Sequence, residues 1–584
     1  IPITKIQKWI KKKNIDIFLI NRTDEFLSEY IASYAERLKW ISNFSGSAGR
    51  AIIEQDRAYI FIDGRYTNQA IKEVDDNFFQ IKHVKDYWTH LKNYKNQKKF
   101  LALDPLLHSV KEIEKTKNLF INSKIILNFL NKNPIDIFWN DQPKYPNSKG
   151  FIHDDIYSGK NSKDKIKIIQ EVLKSTFIDF YLLSSLDSIA WLLNLRGNDI
   201  KYTPLLCCHI IIPHQGKVEL FVDKNKIEHL NNFFSDFINI HSFEKLDEYL
   251  ISINLKKTIG MDEGLTAYYY KYICTKNKLI TNHLKNPCLY PKAIKNNTEL
   301  NGARKANIRD GVSITKFLYW LKKKINVKEM DELGAANYLL NLRKKNDLFF
   351  SPSFETISAF ASNSAMPHYF ANKETNLTFE DNSIYLVDSG GQYRDGTTDI
   401  TRTIVFGKPT KKQKDRYTRV LKGHIAIAKA IFLPGTRGSK LDPLARKSLQ
   451  EINCDYDHGT GHGIGSFLSV HEGPQRIAKS LDNNDGILKE GMIISNEPGY
   501  YKKGEYGIRI ENLLICCFKK PNSLFFETIS WAPLEIDLLD LSILNNQELK
   551  WINDYHGSVY KKISPQLNTE EKHWLKIITS PMIK

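Results

Sequence analysis

Between Ser383 and Phe406 the chain reads SIYLVDSGGQYRDGTTDITRTIVF, two β-branched runs around a Gly-rich turn. The pattern predicts a β-hairpin. With its centre between Tyr393 and Arg394, Asp388 and Asp399 face each other across the ribbon, their Cβ atoms about 5 Å apart. Asp is disfavoured in strands, and two opposed carboxylates repel, so a cation belongs between them. A second stretch, Met492 to Cys517, repeats the device as MIISNEPGYYKKGEYGIRIENLLICC. A loop centred on Gly504 opposes Glu497 to Glu511. Both carboxylates sit in apolar strand contexts, where such groups are almost never left unpaired. Four carboxylates on two hairpins complement two divalent cations.

Between the hairpins lie DHGTGHGIG, from Asp457 to Gly465, and HEGP, from His471 to Pro474. Alternate glycines permit close backbone approach. The stretch has neither the full GxGxxG register nor a Gly-Lys-Ser/Thr ending, which argues against a phosphate loop. A histidine flanked by glycines between acidic hairpins reads better as an imidazole ligand, and His also suits proton transfer near neutral pH. Carboxylate-rich ligation with one imidazole favours hard or borderline ions such as Mn²⁺, Co²⁺ or Zn²⁺. Taken singly, each residue has a plainer reading. Asp388 could cap a turn, Glu511 could pair with Arg509 or Arg402, and His462 could be a surface residue. The joint occurrence of Asp388, Asp399, His462, Glu497 and Glu511, with two matching hairpin centres, outweighs those readings.

Three stretches of chain must position these groups. The first, 1–147, alternates an amphipathic helix pattern (Ile6 to Ile15) with strand-like runs at Ile15 to Ile20, Arg50 to Glu54 and Ala58 to Ile62. A polar segment, Asp141 to Gly150, reads as a linker. The second, 151–291, repeats the order of strand, helix, Gly loop and strand pair, which hints at an internal duplication. The third, 292–584, opens with helical patterns over Glu299 to Lys323 and Asp331 to Lys344. It then becomes strand-rich around the two hairpins, with a helix over Lys411 to Phe432 between them and a helical tail broken near Pro565. Two α/β domains followed by an α+β domain make a multidomain α+β/α/β chain.

The composition narrows the setting. Of 584 residues, 42% are hydrophobic, which excludes disorder. The net charge of +18 could serve nucleic acid. However, Lys is spread along the chain, with only short clusters at Lys11 to Lys13 and Lys322 to Lys324, and no RRM, zinc-finger or basic-zipper pattern accompanies it. A solvated basic surface with no specific nucleic acid is the expectation. The seven Cys form an odd count, four of them in the vicinal pairs Cys207-Cys208 and Cys516-Cys517, which fits a reducing compartment. Apolar runs such as Phe180 to Leu186 are too short to span a bilayer, and no signal-peptide pattern is present. No membrane association and a cytoplasmic location are expected.

On these residues the chain resembles the three-domain Xaa-Pro aminopeptidase (aminopeptidase P) family of pita-bread metallopeptidases. The carrying motifs are VDSG, TTDITRT, HGTGHGIG, SNEPGYY and IRIENL. SNFSGSAG and FIDGRYTNQA in the first stretch, LNLRGNDIKYTP in the second, and WAPLEIDL with WINDYH in the tail are similar to the same family. The resemblance implies two creatinase-type N-terminal domains before a pita-bread catalytic domain, and a homodimer. It implies that Asp399 and Glu511 bridge two metal ions, most readily Mn²⁺, with Asp388 completing one and His462 with Glu497 the other. A metal-bridging hydroxide would then cleave the first residue from peptides whose second residue is proline. Glu497 would shuttle the proton. His458 and His471 would stabilise the oxyanion or relay protons, and His368 would shape the pocket and bind substrate together with His471. Arg509, on the strand face of Glu511, is placed to orient a carboxylate or to make an ordinary salt bridge. Arg65 in DGRY is placed to reach the peptide, or to make a surface salt bridge. The segment 361–367 before His368 is more irregular than the family pattern. Rival readings are a prolidase acting on Xaa-Pro dipeptides, a pita-bread binding module with decayed ligands, and a metal-free creatinase-type hydrolase. The N-terminal stretches argue against the first, and the five intact ligands against the other two.

Overall fold

A computed structural model describes residues 1–323, 326–479 and 486–584. Lys324, the end of one basic cluster, lies outside the described residues. The chain divides into two compact units, residues 1–153 with 160–288 and residues 154–159 with 289–584. No helix among the described residues is long and apolar enough to cross a membrane.

The first unit carries the same sheet twice. Ile17–Asn21 (β1), Gly49–Glu54 (β2), Ala58–Ile62 (β3), Phe79–His83 (β4), Lys99–Leu103 (β5) and Ile125–Phe129 (β6) form a sheet of order β4-β3-β2-β1-β5-β6. Phe180–Leu183 (β7), His209–Pro213 (β8), Val218–Phe221 (β9), Ile238–His241 (β10), Thr258–Met261 (β11) and Ile280–His283 (β12) form a second, of order β10-β9-β8-β7-β11-β12. In each, the first three strands pair antiparallel and the remaining pairings are parallel. The shared topology matches the repeated order read in the sequence. Runs such as Ala58–Ile62 are buried at every position because helices cover both faces of a largely parallel sheet.

In the second unit, Asn297–Lys323 (α1) and Glu332–Arg343 (α2) pack beside the strands Ile357–Phe360 (β13), Ser383–Ser389 (β14) and Ile400–Phe406 (β17). The short pair Gly391–Tyr393 (β15) and Gly396–Thr397 (β16) forms the tip of the first hairpin. Its register differs from the expected one. Asp388 lies across from Thr401, not Asp399, and Tyr393 across from Gly396, so the turn is Arg394-Asp395. The turn is set by a contact distant in sequence: both Asp395 carboxylate oxygens accept from Arg309 of α1, at 3.0 Å each. The shift is two residues, so the parity that turns both carboxylates to one face is kept. Asp399 itself falls in the break between β16 and β17.

Lys411–Ala428 (α3) ends sooner than the sequence pattern suggests, because Ile431–Phe432 (β18) begins a sheet edge. Gly461–Gly463 (β19), Glu472–Ile477 (β20), Ile493–Asn496 (β21), Asn512–Lys519 (β24) and Ser523–Thr528 (β25) complete a six-stranded sheet of order β18-β25-β24-β21-β19-β20. Gly499–Lys502 (β22) and Tyr506–Arg509 (β23) form the outer part of the second hairpin. Here the expected centre holds. Tyr500 pairs with Ile508 and Asn496 with Asn512, and Gly504 takes the loop with φ +76°. Glu497 and Glu511 sit in matching breaks between these pairings. The tail folds as Asn546–Ile563 (α4) and Thr569–Ile578 (α5), separated at Ser564–Gln566 beside Pro565.

Candidate metal centre

The two hairpins and β19 bring all five expected donors together. Ligand atoms of Asp399, His462 and Glu511 lie within 4.8 Å of one another. His462 Nε2 is 3.5 Å from Asp399 Oδ2 and 3.4 Å from Glu497 Oε1. Asp388 completes the group from β14. Its Oδ2 accepts from Arg509 Nη2 at 2.7 Å.

Three observations fit a cation in this space. Asp388 Oδ1, Asp399 Oδ1 and Glu511 Oε1 are buried with no hydrogen-bond partner, a costly condition for carboxylate oxygens. His462 Nδ1 lies 3.0 Å from the Gly463 carbonyl, which can only accept, so Nδ1 carries the proton. The Nε2 lone pair therefore faces two carboxylates, an arrangement that a shared positive ion relieves. Finally, burial and then the Asp388 and Glu497 charges push the Asp399 carboxyl far above its ordinary range. Burial and then Asp399, Glu497 and Asp388 do the same to Glu511. These are hard oxygen donors with one imidazole, suited to divalent ions.

Around them runs a polar shell that sequence patterns left unmarked. Thr401 Oγ1 donates to Glu511 Oε2 at 2.7 Å and accepts from Arg509 Nε at 3.3 Å. Arg509 thus orients Asp388 directly and Glu511 through Thr401. It is an ion-pair partner of Asp388, with side chains 3% and 10% exposed. Arg509 Nη1 also donates to the Tyr501 hydroxyl at 2.7 Å, and that hydroxyl meets His458 Nε2 at 2.8 Å. His458 Nδ1 faces the Gly459 carbonyl at 2.7 Å, so Nε2 is the accepting nitrogen toward Tyr501. Ser495 Oγ accepts from the His462 amide at 2.9 Å and lies 3.3 Å from Glu497 Oε1. No local signal marks Thr401, Ser495 or Tyr501 apart from their closeness to the ligand motifs.

The other histidines flank the donors. The His471 ring lies 4.2 Å from that of His462, nearly perpendicular. The next residue, Glu472, is fully buried and its carboxylate is gripped by Lys292 Nζ at 2.8 Å and by Lys295 Nζ, all with side chains at most 1% exposed. His368 follows Pro367, whose carbonyl accepts from Arg509 Nη2 at 3.3 Å. The irregular segment before it is a 3₁₀ turn, Ala361–Ala365, folded around the carboxylate of Glu332. Glu332 Oε1 accepts from Phe360 N at 2.6 Å, and Oε2 from Tyr369 Oη at 2.7 Å and Leu377 N at 3.0 Å. Asn363 Nδ2 reaches both oxygens at 3.1 Å. Arg65 belongs to the first unit, where its Nε pairs with Asp63 at 2.8 Å.

Comparison with known proteins matches these elements one by one. Residues 2–128 and 141–299 each fit the creatinase/prolidase N-terminal domain, 301–516 metallopeptidase family M24, and 522–582 the C-terminal region of peptidase M24. A protein of Coprinopsis cinerea, named probable Xaa-Pro aminopeptidase P, is 35% identical over 99% of this chain and 98% of its own. The chain belongs to the Xaa-Pro aminopeptidase family. It is a hydrolase of the M24 metallopeptidases, with two creatinase-type N-terminal domains and a pita-bread domain. The Dictyostelium discoideum family member, Xaa-Pro aminopeptidase 1, is 36% identical over 99% of this chain and 96% of its own. The crystal structure of an X-prolyl aminopeptidase from Caenorhabditis elegans superimposes with a TM-score of 0.91 at 30% identity, covering 97% of this chain and 95% of that one. It is described as a cytosolic enzyme with a di-nuclear active site. A prolidase from Pyrococcus horikoshii is similar over 64% of this chain, with a TM-score of 0.52 and 25% identity. The family relatives cover the whole chain and the prolidase does not.

Proposed function

We propose that this aminopeptidase is dinuclear and releases the first residue from peptides with proline second, with Asp388, Asp399, His462, Glu497 and Glu511 as its metal ligands. The observation that carries the reading is the set of three buried, unpartnered carboxylate oxygens beside a histidine lone pair. Were two cations bound, Asp399 and Glu511, less exposed than Asp388, would be held in common by both ions as the family resemblance implies, with Asp388 serving one and His462 with Glu497 the other. When bound, two divalent cations acidify a water and polarise the scissile carbonyl.

The chain's own groups do the rest. Glu497 has a side chain 17% exposed, against 10% for Asp388 and 5% for Asp399, so it faces the side from which water arrives. It takes a proton from the attacking water and passes it to the proline nitrogen as the C–N bond breaks. His471 and His368 hydrogen-bond the carbonyl oxygen and the peptide. His458 acts through the Tyr501 hydroxyl, which joins it to Arg509. Because a proline amide has no N–H, the site needs no acceptor at that nitrogen. Arg65 contributes to peptide binding. The domains are 1–147, 151–291 and 292–584, the preferred metal is Mn²⁺, and the enzyme is a cytoplasmic homodimer; the C. elegans relative described as cytosolic supports the location.

The test is hydrolysis of Arg-Pro-Pro peptides and of Xaa-Pro dipeptides by chelated protein, before and after adding Mn²⁺, Co²⁺ or Zn²⁺. Tripeptide cleavage should vanish on chelation and return best with Mn²⁺, and Glu511→Ala should abolish it. Full turnover by metal-stripped protein refutes the mechanism, and a preference for dipeptides refutes the substrate class.

A further inference from the structure

Arg402, in β17, is 1% exposed, and among the described residues no carboxylate pairs with it. A buried guanidinium without a counter-ion is expensive unless every N–H is satisfied. Here all are. Nε donates to the Pro533 carbonyl at 3.1 Å, and Nη1 to the carbonyls of Thr401 and Glu511, each at 2.8 Å. Nη2 reaches Asn512 Oδ1 at 2.9 Å, the Ala532 carbonyl at 2.9 Å and the Tyr555 hydroxyl at 2.8 Å.

These partners have a common theme. Thr401 and Glu511 are the two residues joined by the 2.7 Å hydroxyl–carboxylate bond at the metal centre. Asn512 passes the contact on. Its Nδ2 lies 3.3 Å from His424 Nε2, and His424 Nδ1 lies 3.1 Å from the Asn496 carbonyl, next to Glu497. Burial and then Arg402 push His424 down to about 3, so its ring is neutral and Nδ1–H donates to that carbonyl. One guanidinium therefore holds the Glu511 carbonyl directly and reaches the peptide before Glu497 through Asn512 and His424. The far end of the clasp is Tyr555 of α4, whose ring stacks on Trp551 at 5.2 Å and 4° and whose hydroxyl lies 3.1 Å from the Ser530 carbonyl.

We propose that Arg402 and Tyr555 are positioning residues for the metal centre, holding Glu511 and Glu497 at ligating geometry, so that the C-terminal helical segment is a working part of that centre. This rests on the reading of Glu511 as a ligand. Partners behind metal ligands typically contribute about 10–100-fold to metal affinity.

The experiment is calorimetric titration of Mn²⁺ into chelated full-length protein, well below its melting temperature, for wild type, Arg402→Lys, Tyr555→Phe and Glu511→Gln. Steady-state kinetics at saturating Mn²⁺ accompany it. Tyr555→Phe and Arg402→Lys should each bind Mn²⁺ roughly 10–100-fold more weakly, with the peptide KM unchanged and most of kcat recovered at saturating metal in Tyr555→Phe. Should Arg402→Lys fail to fold, Tyr555→Phe, which removes a single oxygen, decides alone. Wild-type affinity in the folded variants, with only a lower melting temperature, overturns the inference. Wild-type binding by Glu511→Gln instead overturns the ligand reading beneath it, so the two failures are distinguishable.

Discussion

Glu332→Gln isolates one carboxylate that touches no ligand yet organises the loop bearing His368. The native group accepts from two backbone amides, the Tyr369 hydroxyl and Asn363. An amide keeps one accepting oxygen. If that oxygen faces Tyr369 Oη and Leu377 N, the new NH₂ confronts the Phe360 amide, a contact of 2.6 Å in the native protein. The Phe360 amide and the new NH₂ are then two buried donors without an acceptor, at about 1–3 kcal/mol each. Burial raises the Glu332 pKa, so removing the charge returns part of that loss. The net cost is about 2–4 kcal/mol, or roughly 4–8 °C in melting temperature for a unit of this size. Amides of 360–377 should exchange faster, and kcat/KM should fall about 10-fold or more as His368 loses its fixed place. Manganese content should stay at the wild-type level. Unchanged exchange and unchanged kcat/KM in a folded, metal-loaded variant would refute the link between this carboxylate and the pocket.

Further outcomes follow from the same geometry. In metal-free protein the Asp399 and Glu511 carboxyls are held far above their ordinary range. A raised carboxyl stabilises the fold below its unfolded pKa of about 4, and that contribution is lost as pH rises through the folded value. Chelated enzyme should therefore melt at progressively lower temperature as pH rises above the ordinary carboxyl range, and Mn²⁺ binding should release protons; scanning calorimetry with and without Mn²⁺ checks this, and a pH-independent gap between the curves counts against it. Tyr501→Phe deletes the hydroxyl joining His458 to Arg509, and should lower kcat roughly tenfold with a melting shift under about 3 °C, read by steady-state kinetics and thermal melts. At Gly507 an added Cβ would stand 1.9 Å from the Ser364 carbonyl. Gly507→Ala should thus push the hairpin off the His368 loop and cost about 1–3 kcal/mol, visible as lower kcat/KM and a lower melting temperature together.

The second hairpin was legible because its information is local. Gly504 supplies the turn, and flanking β-branched and aromatic residues set the register that faces Glu497 toward Glu511. The first was misregistered by two positions because Arg309, far away in sequence, holds Asp395 in the turn. Parity protected the chemistry, since a shift of two leaves each side chain on its face. The duplicated N-terminal topology could be read from the order of apolar runs. Glu332 and Tyr501 could not be singled out: one looks like any residue in the first turn of a helix, the other like half of an ordinary Tyr-Tyr strand pair. The sequence offers Arg402 as a salt-bridge partner for the Glu511 carboxylate. It instead holds that residue's carbonyl, a distinction that only the path of the backbone decides.

The grip of Lys292 and Lys295 on Glu472 bears on where the peptidase half truly begins. Both lysines lie just beyond the point at which the two units divide, and both are sunk into the interior beside His471. A protease or an engineer that severed the chain after residue 295 would strand an enclosed anion without its counter-charges, a loss of about 3–5 kcal/mol. The same cut would also remove residues 154–159, and with them the Ser158 carbonyl that accepts from the Asn296 side chain at 2.8 Å. Residues 292–295 thus belong to the second unit as internal counter-charges and cannot be trimmed as a spacer.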